Sequence, residues 1–315
     1  MRIAGVVLGA GAGTRLRPMT DTLAKPLLPV LDRPIVGYTL DHLVASGVQE
    51  IFVNLHHHAE QVRRALAVLG CPVPVTGRVE PRLSGPAGAL RLFDRELARY
   101  DAVLVASGDV LVEHGFDGLL ARHLGSGAPL TVAVTRRRRA SRFGVLDLDG
   151  DGLVRGAREK PPVPDAEVHW VSAGVYCLTP ELIRAFPEGV SYDYAAQLIP
   201  DLLSSGSPVA SWAVPGYWRD IGTAQSLRQA NLDAVRGGVH IGAGARIGED
   251  VQLRGPLVVG AGAEVGDGAW LEDTVVLPGA VVPPGSVLIG ALVGPAGDWT
   301  RQHGGCGREV AHAPE

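Results

Sequence analysis

The chain has 315 residues, 46% of them hydrophobic and 20% charged, with a formal net charge of −4. This suits a globular protein of two domains, or one large domain with an appendage, and gives no global basic field for nucleic acid. Cys71, Cys177 and Cys306 lie far apart and form no CxxC pair, which argues against a disulfide framework or zinc site and fits a reducing cytoplasm.

Met1-Arg2 followed by Ile3–Leu8 superficially looks like a secretory leader, but the apolar run is short and enters a Gly-rich turn at once. A buried strand is the better expectation, and no later segment is long and apolar enough for a bilayer. Further on, Ile35–Ser46 predicts an amphipathic helix closed by Gly47. Glu50–Leu55 predicts a strand, Ala59–Leu69 a helix ending at Gly70, and Ala102–Ala106 and Leu130–Thr135 further strands. Strands alternating with helices predict an α/β, Rossmann-like, mixed and mostly parallel sheet whose ligands sit beyond the strands' carboxyl ends.

Near Gly237 the texture changes to a period of six. Ile241, Ile247, Leu253, Val259, Val265, Leu271 and Leu277 mark one phase. Ala245, Val251, Leu257, Ala263, Ala269, Val275, Val281 and Val287 mark another, four residues later. Hexapeptide repeats of this kind predict a short left-handed parallel β-helix. The expected organisation is a catalytic domain over 1–236, the β-helix over 237–293 and a partly disordered tail over 294–315, with the β-helix capping the catalytic domain or mediating self-association.

The first strand runs into Gly9-Ala10-Gly11-Ala12-Gly13-Thr14-Arg15. Alternate glycines let backbone N–H groups approach phosphate oxygens, and Arg15 and Lys25 are candidates to neutralise a triphosphate. A dinucleotide fingerprint would need glycine where Thr14 stands, and the Gly-Lys-Ser/Thr of a Walker loop is absent. Taken alone, the glycines also fit a plain turn. The longer string, Gly11-Ala12-Gly13-Thr14-Arg15-Leu16-Arg17-Pro18 with Thr20, Lys25-Pro26 and Pro29, resembles the signature of the sugar-1-phosphate nucleotidylyltransferases. Ala24 departs from it where Pro commonly precedes the Lys. The likeness runs in order through most of the chain.

That resemblance implies a reaction joining a nucleoside triphosphate to a sugar 1-phosphate with release of pyrophosphate. It also implies roles. Leu8, Gly9, Gly11, Gly13, Thr14 and Arg15 would bind nucleotide, with Lys25 beside the phosphates. Asp109, after the Val103–Ala106 run, and Asp220, in Tyr217-Trp218-Arg219-Asp220, would hold Mg²⁺, which asks for few protein carboxylates. Glu159 and Lys160 of Arg158-Glu159-Lys160-Pro161 would take sugar hydroxyls and phosphate, with Gly144 and Ser172 nearby. Ser172 stands where Asn is usual.

Gly85-Pro86-Ala87-Gly88 looks like the Gly-Thr-Ala-Gly loop of mannose-1-phosphate guanylyltransferases, with Pro86 replacing Thr. GTP and mannose 1-phosphate are therefore expected first, with TTP, UTP or ATP and another sugar phosphate left open, as is a silent sugar-nucleotide binder or an acyltransferase. A homo-oligomer, dimer or tetramer, is expected. Two further clusters read as structural: Arg136–Arg139 as a solvated loop, and His56-His57-His58 as an exposed helix start rather than a metal site.

Overall fold

The computed structural model describes residues 1–295, 297 and 298. The chain divides into two compact units. One comprises Met1–Ala12 and Val36–Asp220, the other Gly13–Ile35 and the chain from Ile221 onward. The division falls inside the glycine-rich loop. The expected tail beyond residue 298, with Cys306, lies outside the described residues.

In the first unit, the expected strands Ile3–Leu8 and Glu50–Leu55 and the helix Ala59–Leu69 have the predicted bounds. The Ile35 helix ends at Ala45 and is followed by Gly47 at φ 79°. The runs from Ala102 and Leu130 extend to Ser107 and Arg137. Among the described residues they belong to a nine-stranded sheet. Its order is Val154–Glu159, Gly144–Leu148, His169–Leu178, Ala102–Ser107, Ile3–Leu8, Glu50–Leu55, Val75–Val79. Leu130–Arg137 pairs with His169–Leu178, and Val209–Ala213 with Leu130–Arg137.

Ile3–Leu8, Glu50–Leu55, Val75–Val79 and Ala102–Ser107 are mutually parallel, so their carboxyl ends share one edge. Their inward runs, such as Val6, Phe52, Val103 and Val105, are fully buried with Leu90, Phe93 and Leu97, as a sheet covered on both faces requires. Val110–Val112 and Trp218–Asp220 form a separate two-stranded antiparallel ladder.

In the second unit, ten short strands of the described residues wind into three parallel sides. Val239–Ile241, Leu257–Val259, Val275–Val276 and Leu292–Gly294 build one side. Arg246–Ile247, Glu264–Val265 and Val281–Val282 build the next, and Gln252–Arg254, Trp270–Glu272 and Val287–Ile289 the third. This is the expected parallel β-helix.

Its period needs one correction. Partners in the first two coils are 18 residues apart (Val239 with Leu257, Glu264 with Arg246), but in the next they are 17 apart (Val258 with Val275, Trp270 with Val287). One residue is missing at the Asp273–Thr274 corner. The inward positions thereafter are Val276, Ala280, Val282 and Leu288, while Val281 and Val287, read from the sequence as in phase, are 58% and 41% exposed.

The corner is held by polar bonds. The buried Thr274 hydroxyl donates to the carbonyls of Glu272 and Leu288, and Arg228, on the helix Ala224–Ala234, donates to the Asp273 carbonyl. The slip hides from sequence reading because valines occupy both the old and the new phase.

Candidate active site

Parallel pairing sets Leu8 beside both Asn54 and Ser107, so the loops after these strands begin together. A partly buried chain of hydrogen bonds runs from the loop after Leu8 through Asn54 to Glu80 and Ser84. Gly9 N donates to Asn54 Oδ1 (2.8 Å), and Asn54 Nδ2 donates to Glu80 Oε2 (2.9 Å). Glu80 Oε1 accepts from Ser84 N (2.6 Å) and Ser84 Oγ (2.5 Å). Glu80 is only 2% exposed, and these donors satisfy a carboxylate that would otherwise be costly to bury. Asn54 and Glu80 are the residues that sequence reading missed as organisers. The sole hint was a polar Asn one residue before the end of an apolar strand.

Gly85 and Gly88 lie on a short helical turn held by the backbone of Tyr192. Ala87 N and Gly88 N both donate to Tyr192 O, and Tyr192 N donates to Ser84 O. Gly85 has φ 79°, and a Cβ there would lie 2.6 Å from Tyr192 O, so the close approach itself demands glycine.

Asp109 follows Ser107-Gly108, and Gly108 N donates to Leu8 O (3.0 Å). In the small ladder Asp220 lies opposite Val110, with Arg219 opposite Leu111 and Trp218 opposite Val112. Asp109 and Asp220, 111 residues apart in sequence, therefore fall at the same end of the ladder, and both are half-buried. Asp220 is the last residue of its strand, Trp218–Asp220. Among the described residues, no group of three or more His, Cys, Asp or Glu side chains is arranged to hold a metal ion.

The sugar-side residues also converge. A Cβ on Gly144 would lie 3.2 Å from Glu159 Oε2, 3.8 Å from Ser172 Cβ and 2.7 Å from Ala195 Cβ. Ser172 Oγ and Tyr176 OH are hydrogen-bonded at 2.8 Å, and the Tyr176 ring stacks on Tyr194 at 3.6 Å between centroids. Burial pushes both tyrosine hydroxyls well above their ordinary pKa, so both stay protonated. Glu159 pairs with exposed Lys160, which sits at φ 45°, a backbone conformation that costs free energy in a non-glycine residue. Gly174 joins this group to the acidic loop, since a Cβ there would lie 3.3 Å from Ser107 Oγ and from Val110 Cγ2.

In the second unit, Gly13 adopts φ 62° and opens the turn Thr14–Leu16. Buried Leu16 anchors that turn, leaving Thr14 and Arg15 exposed. A Cβ on Gly13 would lie 2.8 Å from Thr20 Cγ2 and 3.2 Å from Lys25 Cβ, and Thr20 Oγ1 donates to Gly13 O (2.9 Å). The conformation of Gly13 thus sets Arg15 and Lys25 near one turn.

The solvated-loop reading of Arg136–Arg139 is corrected in part. Arg136 and Arg137 end the long strand, and each guanidinium lies over an indole: Arg136 over Trp170 (5.7 Å) and Arg137 over Trp218 (4.7 Å). His56–His58 do precede the helix Ala59–Leu69, with His56 Nδ1 2.7 Å from Glu80 O.

Residues 4–236 match the nucleotidyl transferase family, and the chain belongs to it. A Sulfolobus acidocaldarius protein provisionally named a mannose-1-phosphate guanyltransferase is 33% identical over 231 residues, 73% of this chain and 63% of its own length. The chain therefore spans just under two thirds of that relative. The Mycobacterium tuberculosis mannose-1-phosphate guanylyltransferase is 28% identical over 97% of this chain and 82% of its own. A Synechocystis UTP–glucose-1-phosphate uridylyltransferase is 28% identical over 91% of this chain and 86% of its own. The fold matches a Bacillus anthracis crystal structure provisionally named a glucose-1-phosphate thymidylyltransferase. The TM-score is 0.66 and the identity 24%, over 74% of this chain and 95% of that one. Among the described residues no helix is long and apolar enough to cross a membrane.

Proposed function

We propose that the protein condenses a nucleoside triphosphate with a sugar 1-phosphate, giving a nucleoside diphosphate sugar and pyrophosphate. The observation that carries this reading is the ladder register, which sets Asp220 opposite Val110, next to Asp109, at the edge where the Gly9 loop begins. The donor set fits Mg²⁺: two carboxylate oxygen donors suit a hard ion that takes its other ligands from phosphate and water. Asp109 and Asp220 would hold it, and when bound it neutralises phosphate charge.

An oxygen of the sugar 1-phosphate attacks the α-phosphorus. The new O–P bond forms as the bond to the bridging oxygen breaks, and that oxygen leaves with pyrophosphate. The attacking phosphate is already ionised at neutral pH, so no general base is required. The protein's contribution is positioning and charge. Arg15 stabilises the departing pyrophosphate, Lys25 the α-phosphate and Lys160 the attacking phosphate. Glu159, Gly144 and Ser172 take the sugar. Leu8, Gly9, Gly11, Gly13 and Thr14 cradle the triphosphate, and Gly85 and Gly88 shape the loop at the base.

GTP and mannose 1-phosphate are the first substrates to test, supported by the Gly-Pro-Ala-Gly loop and by the names of two relatives. UTP with glucose 1-phosphate is second, supported by the Synechocystis relative's name. We assign residues 1–236 to this chemistry and 237–293 to a structural or assembly role in a cytoplasmic homo-oligomer. The test is pyrophosphate release across a matrix of four triphosphates and several sugar 1-phosphates, with and without Mg²⁺. Release from at least one pair, only with the metal, is expected. Silence across the matrix, with binding alone, overturns the reading.

A further inference from the structure

The ladder that ends in Asp220 and begins just after Asp109 has three residues per strand and lies outside the main sheet. A two-stranded pair this short has little stability of its own. Something must fix it, and the contacts converge on Trp218. Its indole N–H donates to Ala173 O (2.8 Å), its ring stands edge-on to Phe143, and its backbone carbonyl accepts from Arg137 Nη2 (2.5 Å). The Arg137 guanidinium also covers the ring at 4.7 Å. Trp218 is 5% exposed, Ala173 adjoins Ser172, and Phe143 adjoins Gly144.

We infer that Arg137 is a positioning residue: with Trp218 it pins the Asp220 strand to the sugar-side strands, holding the metal carboxylates in register with the sugar pocket. A planar guanidinium performs both contacts at once, donating in its plane and stacking on its face, which an ammonium does not. Burial, reinforced by neighbouring Arg219, lowers the Arg137 pKa below the usual arginine value, as expected for a cation wedged into the fold. The inference rests on the proposed metal role of Asp220.

Two readouts test it, one of them independent of catalysis. Arg137→Met should speed amide exchange across Val110–Val112 and Trp218–Asp220 by roughly tenfold, while exchange in Ile3–Leu8 stays unchanged. It should also weaken binding of Mn²⁺ alone, read by electron paramagnetic resonance, by about tenfold. Arg137→Lys should recover only part of each and serves as the test if the Met variant fails to fold. Ladder exchange equal to wild type in either variant overturns the inference. So does an exchange increase spread over the whole sheet, which marks a general structural role. Wild-type protein that binds no Mn²⁺, or an Asp220→Asn variant that binds it as well as wild type, overturns the metal role instead, and exchange then judges the brace alone.

Discussion

The β-helix and the main sheet handle irregularity in opposite ways. In the β-helix each strand contacts its neighbours through a repeated pattern, and losing one residue at Asp273 shifts the inward phase without breaking the coil. Val276 takes over from Leu277, Val282 from Pro283, and one buried hydroxyl and one arginine satisfy the corner. In the sheet unit the candidate site is assembled from single residues instead. The aspartates depend on a three-residue ladder, and Gly9, Asn54, Glu80 and Ser84 form a single file of partly buried bonds. Redundancy tolerates error, whereas a site assembled from distant segments concentrates its dependence on single residues.

The largest effect that would sharpen this contrast lies at the ladder. Asp109→Ala and Asp220→Ala should each lower the rate of pyrophosphate release by about 10²–10³ or more with the fold intact by circular dichroism, as should Arg15→Ala. Near-normal release from any of the three would remove that residue from the mechanism.

Next is a pH effect expected in the sheet unit alone. His123 is 4% exposed, its Nδ1 lies 3.0 Å from Thr131 Oγ1, and burial lowers its pKa from 6.5 to about 4. The folded value lies below the unfolded one. Its stabilising effect is therefore complete above about pH 6.5 and is lost as pH falls toward 4, by about 2–3 kcal/mol. Denaturant titrations at pH 7 and pH 4.5 should reveal this loss, and His123→Gln should flatten it. Amide exchange should assign the loss to the sheet, since the described coil residues include no buried histidine. An unchanged slope in the variant would show that other groups carry the acid limb.

How legible each region was follows from the same contrast. Local signals were read well: the apolar runs Ile3–Leu8 and Glu50–Leu55 and the glycine stop at Gly70 stand as predicted. Asp109, Asp220, Gly144, Glu159 and Ser172 were named as candidates from motifs that resemble the family's. Their convergence could not be read there, because pairing across 111 residues is set by tertiary packing rather than by local pattern. Arg137 illustrates the limit. Four consecutive arginines look like a solvated run, and only the strand's length and the position of Trp218 turn one of them inward.

A smaller effect is expected where Gly144 meets Ala195. Asp193 accepts from the N–H groups of Ala195 and Ala196, fixing the turn that brings the Ala195 methyl against Gly144. Gly144→Ala should raise the KM for the sugar phosphate about tenfold and leave the KM for the triphosphate nearly unchanged, equivalent to roughly 1.4 kcal/mol. Adding Ala195→Gly removes the clashing methyl and should restore most of the loss. A double variant as impaired as the single one would show that the steric reading is wrong.

The smallest effect belongs to the coil. Thr274 is fully buried, and its hydroxyl serves the carbonyls of Glu272 and Leu288 where the period slips. Thr274→Val keeps the shape and removes the donor, so the Leu288 carbonyl loses this partner while Glu272 O keeps the bond from Gly290 N. The expected cost is about 1 kcal/mol, visible as faster amide exchange at Val275 and Ala291, with the rate of pyrophosphate release unchanged. If the coil tolerates error by local repair, the damage should stop within one turn on either side. Exchange that rises through every coil to Val239 would show instead that the β-helix unfolds as one cooperative body, and the distinction drawn between the two regions would fail.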